Sequence, residues 1–209
     1  MPPKLLLLDL DDVLADYSRE RRCRALAETA GVDAATIERA VFASGLEKRS
    51  DRGEFGLDDY MDRLRSDWGL DIPSADFIAA RRAGTRVRQP LLDICQNLAG
   101  RVQFGIFSNN GHWLAQHAER IVPELMPLFR TRFICSGSLG LCKPDPEAFL
   151  LCLQRLGFSP ASTLFVDDRA GNVDGARQAG LDAFVYQDDN HFQQELANRG
   201  LTAGEPYAL

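Results

Sequence analysis

Near its start the chain reads Leu5-Leu6-Leu7-Leu8-Asp9-Leu10-Asp11-Asp12, an apolar run that ends directly in carboxylates. A short, wholly apolar run bounded by polar residues is typical of a strand that is buried on both faces. Such strands occur in parallel sheets whose two faces are covered by helices. The stretch therefore predicts the first strand of a parallel sheet, with Asp9 and Asp11 at its carboxyl end.

Similar apolar runs recur along the chain and alternate with segments of helical periodicity. The predicted strands are Leu5–Leu8, Val102–Phe107, Arg132–Cys135, Leu164–Val166 and Ala183–Tyr186. The predicted helices between them run from Pro90 to Gly100, from Asp145 to Gly157, and up to Gly180. This alternation predicts an α/β fold, a Rossmann-like parallel sheet with helices on both faces.

The segment from about residue 16 to residue 84 differs, because it contains no strand-like run. One apolar stripe at helical spacing predicts a helix over Leu57–Trp68. Further helices are predicted over Arg22–Ala30, Ala34–Ala43 and Ala75–Ala83, with Asp33 and Ser74 as N-caps. We predict an all-helical cap over residues 16–84, inserted after the first strand of a core formed by residues 1–15 and 85–209.

The composition excludes several classes of protein. The 209 residues are 45% hydrophobic and 26% charged, the balance of an ordinary soluble globule. The net charge of -6 argues against nucleic acid or an anionic membrane as the main partner, and no apolar run near the start is long enough to span a bilayer. Five cysteines without a CxxC motif predict reduced thiols in a cytoplasmic protein. We expect a monomer or homodimer in which residues 201–209 form a short tail.

Polar residues end or follow each of the first four predicted strands. They are Asp9 and Asp11, then Ser108 and Asn109, then Lys143, and finally Asp167 and Asp168. Ligands of open parallel sheets bind outside the carboxyl ends of the strands, so we expect these side chains to meet there. Four carboxylates against one ammonium leave a negative excess, which a divalent cation and a proton on Asp11 would neutralise. A hard cation held by oxygen atoms is therefore expected.

These segments resemble the four motifs of the haloacid dehalogenase-like hydrolase superfamily, and the resemblance covers the whole chain. The helical insert resembles the helical cap of that superfamily. Arg52-Gly53-Glu54 before an amphipathic helix is similar to the branch of sugar phosphatases and epoxide-hydrolase-associated phosphatases. Asp12 departs from the family pattern, which most often has glycine there, and we expect its side chain to point away from the site.

The resemblance implies a role for each matching residue. Asp9 would be the nucleophile and Asp11 the general acid and base, while Lys143 would pair with the nucleophile and the phosphate. Ser108 and the backbone of Asn109 would bind the phosphate. The ligands of Mg²⁺ would be Asp9, Asp11, Asp167 and Asp168.

The implied function is a Mg²⁺-dependent phosphatase that hydrolyses a small soluble phosphomonoester, such as a sugar phosphate, through an aspartyl-phosphate intermediate. A phosphomutase of the same superfamily uses the same residues and remains an alternative. A 2-haloacid dehalogenase is disfavoured, because it needs neither Asp11 nor the Asp167 and Asp168 pair. A non-catalytic regulatory module is disfavoured because both the Asp9 nucleophile and Lys143 are present.

Substrate choice is assigned to the insert. Its clearly non-helical stretch is predicted to be Gly45–Gly56, and the side chains there that are expected to offer hydrogen bonds to a polyhydroxylated leaving group are Glu47, Lys48, Arg49, Asp51 and Arg52. Two residues near the last motif are less defined. Asn172 is expected either to orient a metal-bound water or to be an ordinary surface residue, and Arg169 is expected to face solvent or form an ion pair.

Overall fold

The computed structural model describes residues 2–202. The part of the predicted tail beyond Thr202 lies outside the described residues. The strands are β1 (Leu5–Leu8), β2 (Ala15–Tyr17), β3 (Thr85–Val87), β4 (Gln103–Ser108), β5 (Phe133–Cys135), β6 (Thr163–Asp167) and β7 (Asp182–Val185). Five of them form a parallel sheet in the order β5-β4-β1-β6-β7. Strand β1 lies at the centre, with Leu8 opposite Ile106 on one side and Val166 on the other. The predicted parallel α/β sheet is confirmed.

Helices precede and follow the strands in the described chain. They are α1 (Arg19–Ala30), α2 (Ala34–Ile37), α3 (Leu46–Asp51), α4 (Leu57–Trp68), α5 (Ser74–Ala83), α6 (Gln89–Asn97), α7 (His112–Gln116), α8 (Ala118–Ile121), α9 (Met126–Phe129), α10 (Pro146–Leu156), α11 (Ala170–Gln178) and α12 (Asp189–Asn198). A π-helical segment, Glu38–Ala43, continues α2. The helices α1–α5 lie between β2 and β3 in sequence.

Strand β1 separates two apolar clusters, because successive side chains of a strand point to opposite faces of the sheet. Leu5 and Leu7 pack into a cluster that includes Phe149 of α10 and Val173 of α11. Leu6 and Leu8 belong to the larger cluster, which includes residues of the inserted helices and of α6 and α12. All four leucines are fully buried, so the apolar run is explained by a strand covered on both faces.

Helix ends test the predictions from local sequence. Helix α4 has the predicted bounds, and the Asp33 side chain caps α2 by accepting a hydrogen bond from the Thr36 amide. The prediction of Ser74 as an N-cap is wrong, since Pro73 with extended backbone precedes the helix and Ser74 is its first residue. The prediction that Gly45–Gly56 is non-helical is also wrong, because α3 occupies part of it. Gly45, Gly53 and Gly56 lie outside this helix, and Leu46 and Ser50 are the buried residues of its inner face.

A short antiparallel ribbon connects the chain segment that enters the insert with the segment that leaves it. In it β2 pairs with β3, with Ala15 opposite Val87 and Tyr17 opposite Thr85. The prediction that no strand lies between residues 16 and 84 is therefore wrong at its first residues. Strands of three residues with mixed polarity are too short to show a period of two in the sequence.

The cysteines are all free thiols, as predicted, and four of them are buried while Cys142 is partly exposed. Among residues 2–202, the structure contains no helix with the length and apolar character that crossing a bilayer requires.

Candidate active site

Three charged side chains from distant parts of the sequence meet at the carboxyl edge of the sheet. Asp9 directly follows β1, and its amide donates to the carbonyl of Val166, so it lies beside Asp167 at the end of β6. The Lys143 Nζ atom is 3.0 Å from Asp9 Oδ1 and 2.6 Å from Asp167 Oδ2. All three side chains are buried. The expected meeting of the motifs at this edge is confirmed for these residues.

The loop that carries Lys143 is fixed by the side chain of Asn109. The Asn109 Nδ2 atom donates to the carbonyl of Lys143 at 2.8 Å, and the Lys143 amide donates to Asn109 Oδ1 at 2.9 Å. The ammonium also lies over the rings of Phe107 and Phe165, at 5.6 and 5.3 Å from their centroids. Asn109 therefore positions Lys143 through its side chain, a role that its place in the motif did not suggest.

Ser108 ends β4 and is buried, and its Oγ accepts a hydrogen bond from Asn110 Nδ2 at 2.9 Å. The same Nδ2 atom is 3.1 Å from Asp11 Oδ2 and donates to it. Asn110 thus links the predicted phosphate-binding serine to the predicted general acid. The sequence analysis did not select it, although it directly follows Ser108 and Asn109 at the same strand end.

The carboxylate of Asp11 is turned toward the helical insert. Nη2 of Arg81, on α5, is 2.7 Å from Asp11 Oδ1 and 2.8 Å from Asp11 Oδ2. The Arg81 side chain is fully buried, donates from Nη1 to Thr85 Oγ1 at 2.8 Å, and lies 4.0 Å from the ring centroid of Tyr17. Arg81 is a residue of the candidate site that the sequence analysis missed, because its partner Asp11 is far away in the chain.

A possible cation site is formed by Asp9, Asp167 and Asp168. Each offers a carboxylate oxygen, and these oxygens all lie within 4.8 Å of one another. Asn172 is buried and donates to both carboxylate oxygens of Asp167, at 2.9 and 3.0 Å. The Asp11 side chain, which was predicted as a further ligand, is not part of this group. Asn172 is not a surface residue, because its side chain is buried and orients the Asp167 carboxylate.

Burial and charge act differently on the two carboxylates that flank Lys143. Burial raises the pKa of Asp9 to about 8, with Lys143 opposing the shift and Asp167 and Asp11 adding to it. Burial acts on Asp167 too, but Lys143 and the donors Arg169 N and Asn172 together hold the pKa of Asp167 below its ordinary value. For Lys143, burial is outweighed by the two aspartates, which raise its pKa. Lys143 and the neighbouring donors thus favour the ionised form of Asp167, whereas burial disfavours the ionised form of Asp9.

Asp12 has a φ of 61°, in the left-handed region where glycine is favoured and aspartate is tolerated. Its side chain is exposed, and Asp12 Oδ1 accepts from the Tyr17 amide at 3.4 Å. This backbone conformation explains why glycine is the common residue at the corresponding position of the motif and why aspartate can replace it.

A cavity of about 500 Å³ opens beside Asp11 and Asn110. Its opposite wall comes from the insert and includes Tyr17, Glu47 and Asp51. The structure therefore brings the predicted Glu47 to the cavity. Arg49 is not among the lining residues, since its guanidinium is on the exposed surface of α3 and pairs with Glu54 at 2.7 Å.

A buried lysine between two aspartates at the carboxyl edge of a parallel sheet, beneath a helical insert, defines a hydrolase of the class that the motifs resemble. A family model described as haloacid dehalogenase-like hydrolase matches residues 3–180, and the chain belongs to that family. The resemblance inferred from the sequence is confirmed.

Curated relatives with similar sequences include phosphatases. The chain is 32% identical over 141 residues to flavin mononucleotide hydrolase 1 of Arabidopsis thaliana, a match that covers 66% of this chain and 56% of that protein. It is 23% identical over 198 residues to D-ribitol-5-phosphate phosphatase of Bacteroides thetaiotaomicron, covering 92% and 96%. A third match, 35% identical over 91 residues, covers 42% of this chain and only 8% of mouse acyl-CoA dehydrogenase family member 10.

The fold also matches solved structures. One is a haloacid dehalogenase family enzyme from Bacteroides thetaiotaomicron, solved as the wild-type protein in complex with magnesium and inorganic phosphate. It superposes with a TM-score of 0.70 at 21% identity and covers 99% of this chain and 98% of that chain. This similarity confirms the predicted fold class.

Proposed function

We propose that the protein is a Mg²⁺-dependent phosphatase that hydrolyses a small polar phosphomonoester through an aspartyl-phosphate intermediate. The observation that carries this proposal is Lys143 held between Asp9 and Asp167, at 3.0 and 2.6 Å. Asp11 and Asn109, which follow the same strand ends, line a cavity large enough for a small molecule. Membership of the hydrolase family and the phosphatases among the relatives support the same reaction class.

The residues around Asp9 suit a two-step transfer. In the first step an Asp9 carboxylate oxygen forms a bond to phosphorus while the bond from phosphorus to the leaving oxygen breaks, and Asp11 donates a proton to that oxygen. In the second step Asp11 takes a proton from water, the water oxygen attacks phosphorus, and Asp9 leaves with inorganic phosphate as the product. Arg81 and Asn110, which hold the Asp11 carboxylate, act as positioning residues.

The carboxylates fit a magnesium ion. Asp9, Asp167 and Asp168 supply only oxygen donors, which Mg²⁺ prefers, and Asn172 orients one of them. When bound there, Mg²⁺ would neutralise negative charge on the phosphate oxygens and on the carboxylates. The pKa of Asp9, raised to about 8 by burial, agrees with a nucleophile that needs a cation nearby to be ionised at neutral pH. The Bacteroides neighbour was solved with magnesium and phosphate.

The substrate that this proposal favours is a phosphorylated sugar or polyol. The cavity wall contributed by the insert is rich in polar side chains, and acidic and basic residues line the cavity in equal number. Such a lining suits a small neutral leaving group that carries hydroxyls, because neither sign of charge dominates and an apolar tail finds little matching surface. A relative that acts on D-ribitol 5-phosphate, a phosphorylated polyol, supports this class.

Release of phosphate from p-nitrophenyl phosphate tests the proposed reaction. We expect wild-type protein to release free phosphate with Mg²⁺ and to lose the activity on addition of EDTA, with recovery when Mg²⁺ is added in excess. Free phosphate as the product, rather than transfer to a second hydroxyl of a sugar phosphate, distinguishes hydrolysis from a phosphomutase reaction. Activity that persists in EDTA would contradict the metal assignment.

The two adjacent aspartates are expected to respond differently to removal of their charge. Asp168 is partly exposed, so Asp168→Asn should raise the Mg²⁺ concentration for half-maximal activity by about tenfold or more and leave stability nearly unchanged. Asp167 is fully buried against Lys143, so Asp167→Asn should also lower the free energy of unfolding by about 3 kcal/mol. Mg²⁺ titrations and urea unfolding curves measure the two effects, and equal losses of stability would contradict the distinction.

A further inference from the structure

The helix α3 is fixed on the catalytic core at its carboxyl end. The carbonyl of Asp51 accepts from Ser136 Oγ at 2.7 Å and from Cys142 Sγ at 3.3 Å. Gly53, with a φ of 75°, packs so closely on the core that a Cβ atom there would lie 2.3 Å from the carbonyl oxygen of Gly137. The backbone alone therefore holds Asp51 at the cavity beside Asp11, whatever its side chain binds.

Two acidic side chains of α3 reach the cavity, and their hydrogen-bond partners differ. Glu47 and Asp51 are four residues apart, one helical turn, and so lie on the same face. Both oxygens of Glu47 are occupied, because Arg22 donates to each of them and the Tyr60 hydroxyl donates to Oε2. In Asp51 the Oδ1 atom is buried and has no partner within the described part of the chain. Of the two, Asp51 is the carboxylate that is free to bind a further group.

The surroundings of Asp51 favour a neutral donor as its partner. Burial raises the pKa of Asp51 well above its ordinary value, with the Glu47 charge adding to the effect. A buried carboxylate without a donor destabilises its site, so a bound hydroxyl would satisfy it. A cationic leaving group is disfavoured, because basic side chains line the cavity in the same number as acidic ones.

We propose that Asp51 is a specificity-determining residue, which accepts a hydrogen bond from a hydroxyl of the sugar or polyol leaving group. The inference rests on the proposed phosphatase function and assigns the recognition of the substrate's hydroxyls to one side chain. With phosphorus at Asp9 and the leaving oxygen at Asp11, the remainder of the substrate would extend into the cavity that both Asp11 and Asp51 line. Glu47 supports the site by holding Arg22 and Tyr60 rather than by binding substrate.

The test compares substrates that differ only in hydroxyls. We would measure kcat/KM for a pentitol phosphate and for n-pentyl phosphate, with p-nitrophenyl phosphate as a third substrate. For wild-type protein we expect a clear preference for the pentitol phosphate. Asp51→Ala, which removes the acceptor oxygens, should reduce the ratio of the pentitol phosphate value to the n-pentyl phosphate value about tenfold, the loss typical of one hydrogen bond.

A matched control is Asp59→Ala, the same substitution at an exposed position of α4 in the insert, which should leave the ratio at the wild-type value. Thermal melting curves should be similar for wild type and both variants, since the Asp51 backbone contacts are retained. An Asp51→Ala protein with the wild-type ratio, or with equal losses on both alkyl substrates, would overturn the inference while leaving the phosphatase function intact. Wild-type protein that turns over none of the three substrates with Mg²⁺ would overturn the phosphatase function, and the inference with it.

Discussion

Asp9→Asn is expected to lower kcat for every phosphomonoester by at least about a hundredfold, equivalent to about 2.7 kcal/mol of transition-state stabilisation. The amide has almost the same shape as the carboxylate but is a far weaker nucleophile, so the covalent step should fail. The fold should be retained, because the amide oxygen can still accept a hydrogen bond from Lys143. The hydrogen bond from the amide of residue 9 to the Val166 carbonyl also remains. Steady-state kinetics and a thermal melting curve measure both outcomes.

A control for this variant lies three residues along the chain. Asp12 is exposed and adopts a left-handed conformation that asparagine also tolerates, so Asp12→Asn should keep nearly wild-type kcat. An Asp9→Asn protein that retains more than about a hundredth of wild-type kcat would contradict the aspartyl-phosphate mechanism.

Asp11→Asn is expected to produce a loss that depends on the leaving group. An alkyl phosphate needs a proton on its leaving oxygen, so kcat should fall by about a thousandfold, within the range for general acid catalysis. The p-nitrophenolate ion leaves without protonation, so p-nitrophenyl phosphate should lose far less in the first step. A series of phosphomonoesters with graded leaving-group pKa values measures the dependence. Parallel losses across the series would show that Asp11 is not the acid.

The charged edge of the sheet is predictable from the sequence because its signals are local. Asp9 and Asp167 each follow a wholly apolar run, and the rule that ligands bind at the carboxyl ends of parallel strands brings them together. Lys143 and Ser108 follow from the same rule applied to the other strands. Capping by Asp33 is equally local, since the side chain bonds to an amide three residues on.

Side-chain partners across the insert are beyond the reach of such rules. The pair of Arg81 and Asp11 joins residues far apart in the chain. Nothing in the local sequence distinguishes Arg81 from its neighbour Arg82, which instead pairs with Glu124. The short helix α3 is difficult to recognise in the sequence because glycines flank it on both sides. These glycines lie in turns outside the helix. The direction of the Asn109 side chain, toward Lys143, likewise depends on the packing of two loops.

The ribbon of Ala15–Tyr17 and Thr85–Val87 holds both ends of the helical insert next to each other. Because the ribbon pairs its two ends, the insert forms a closed loop, and the rest of the chain does not have to bring these ends together. The entropy of closing a loop grows only slowly with its length, so the ribbon lets the length of the insert vary at little entropic cost to the sheet. The residues that an exchanged insert would have to supply are those that meet the core, above all a partner for Asp11 in place of Arg81.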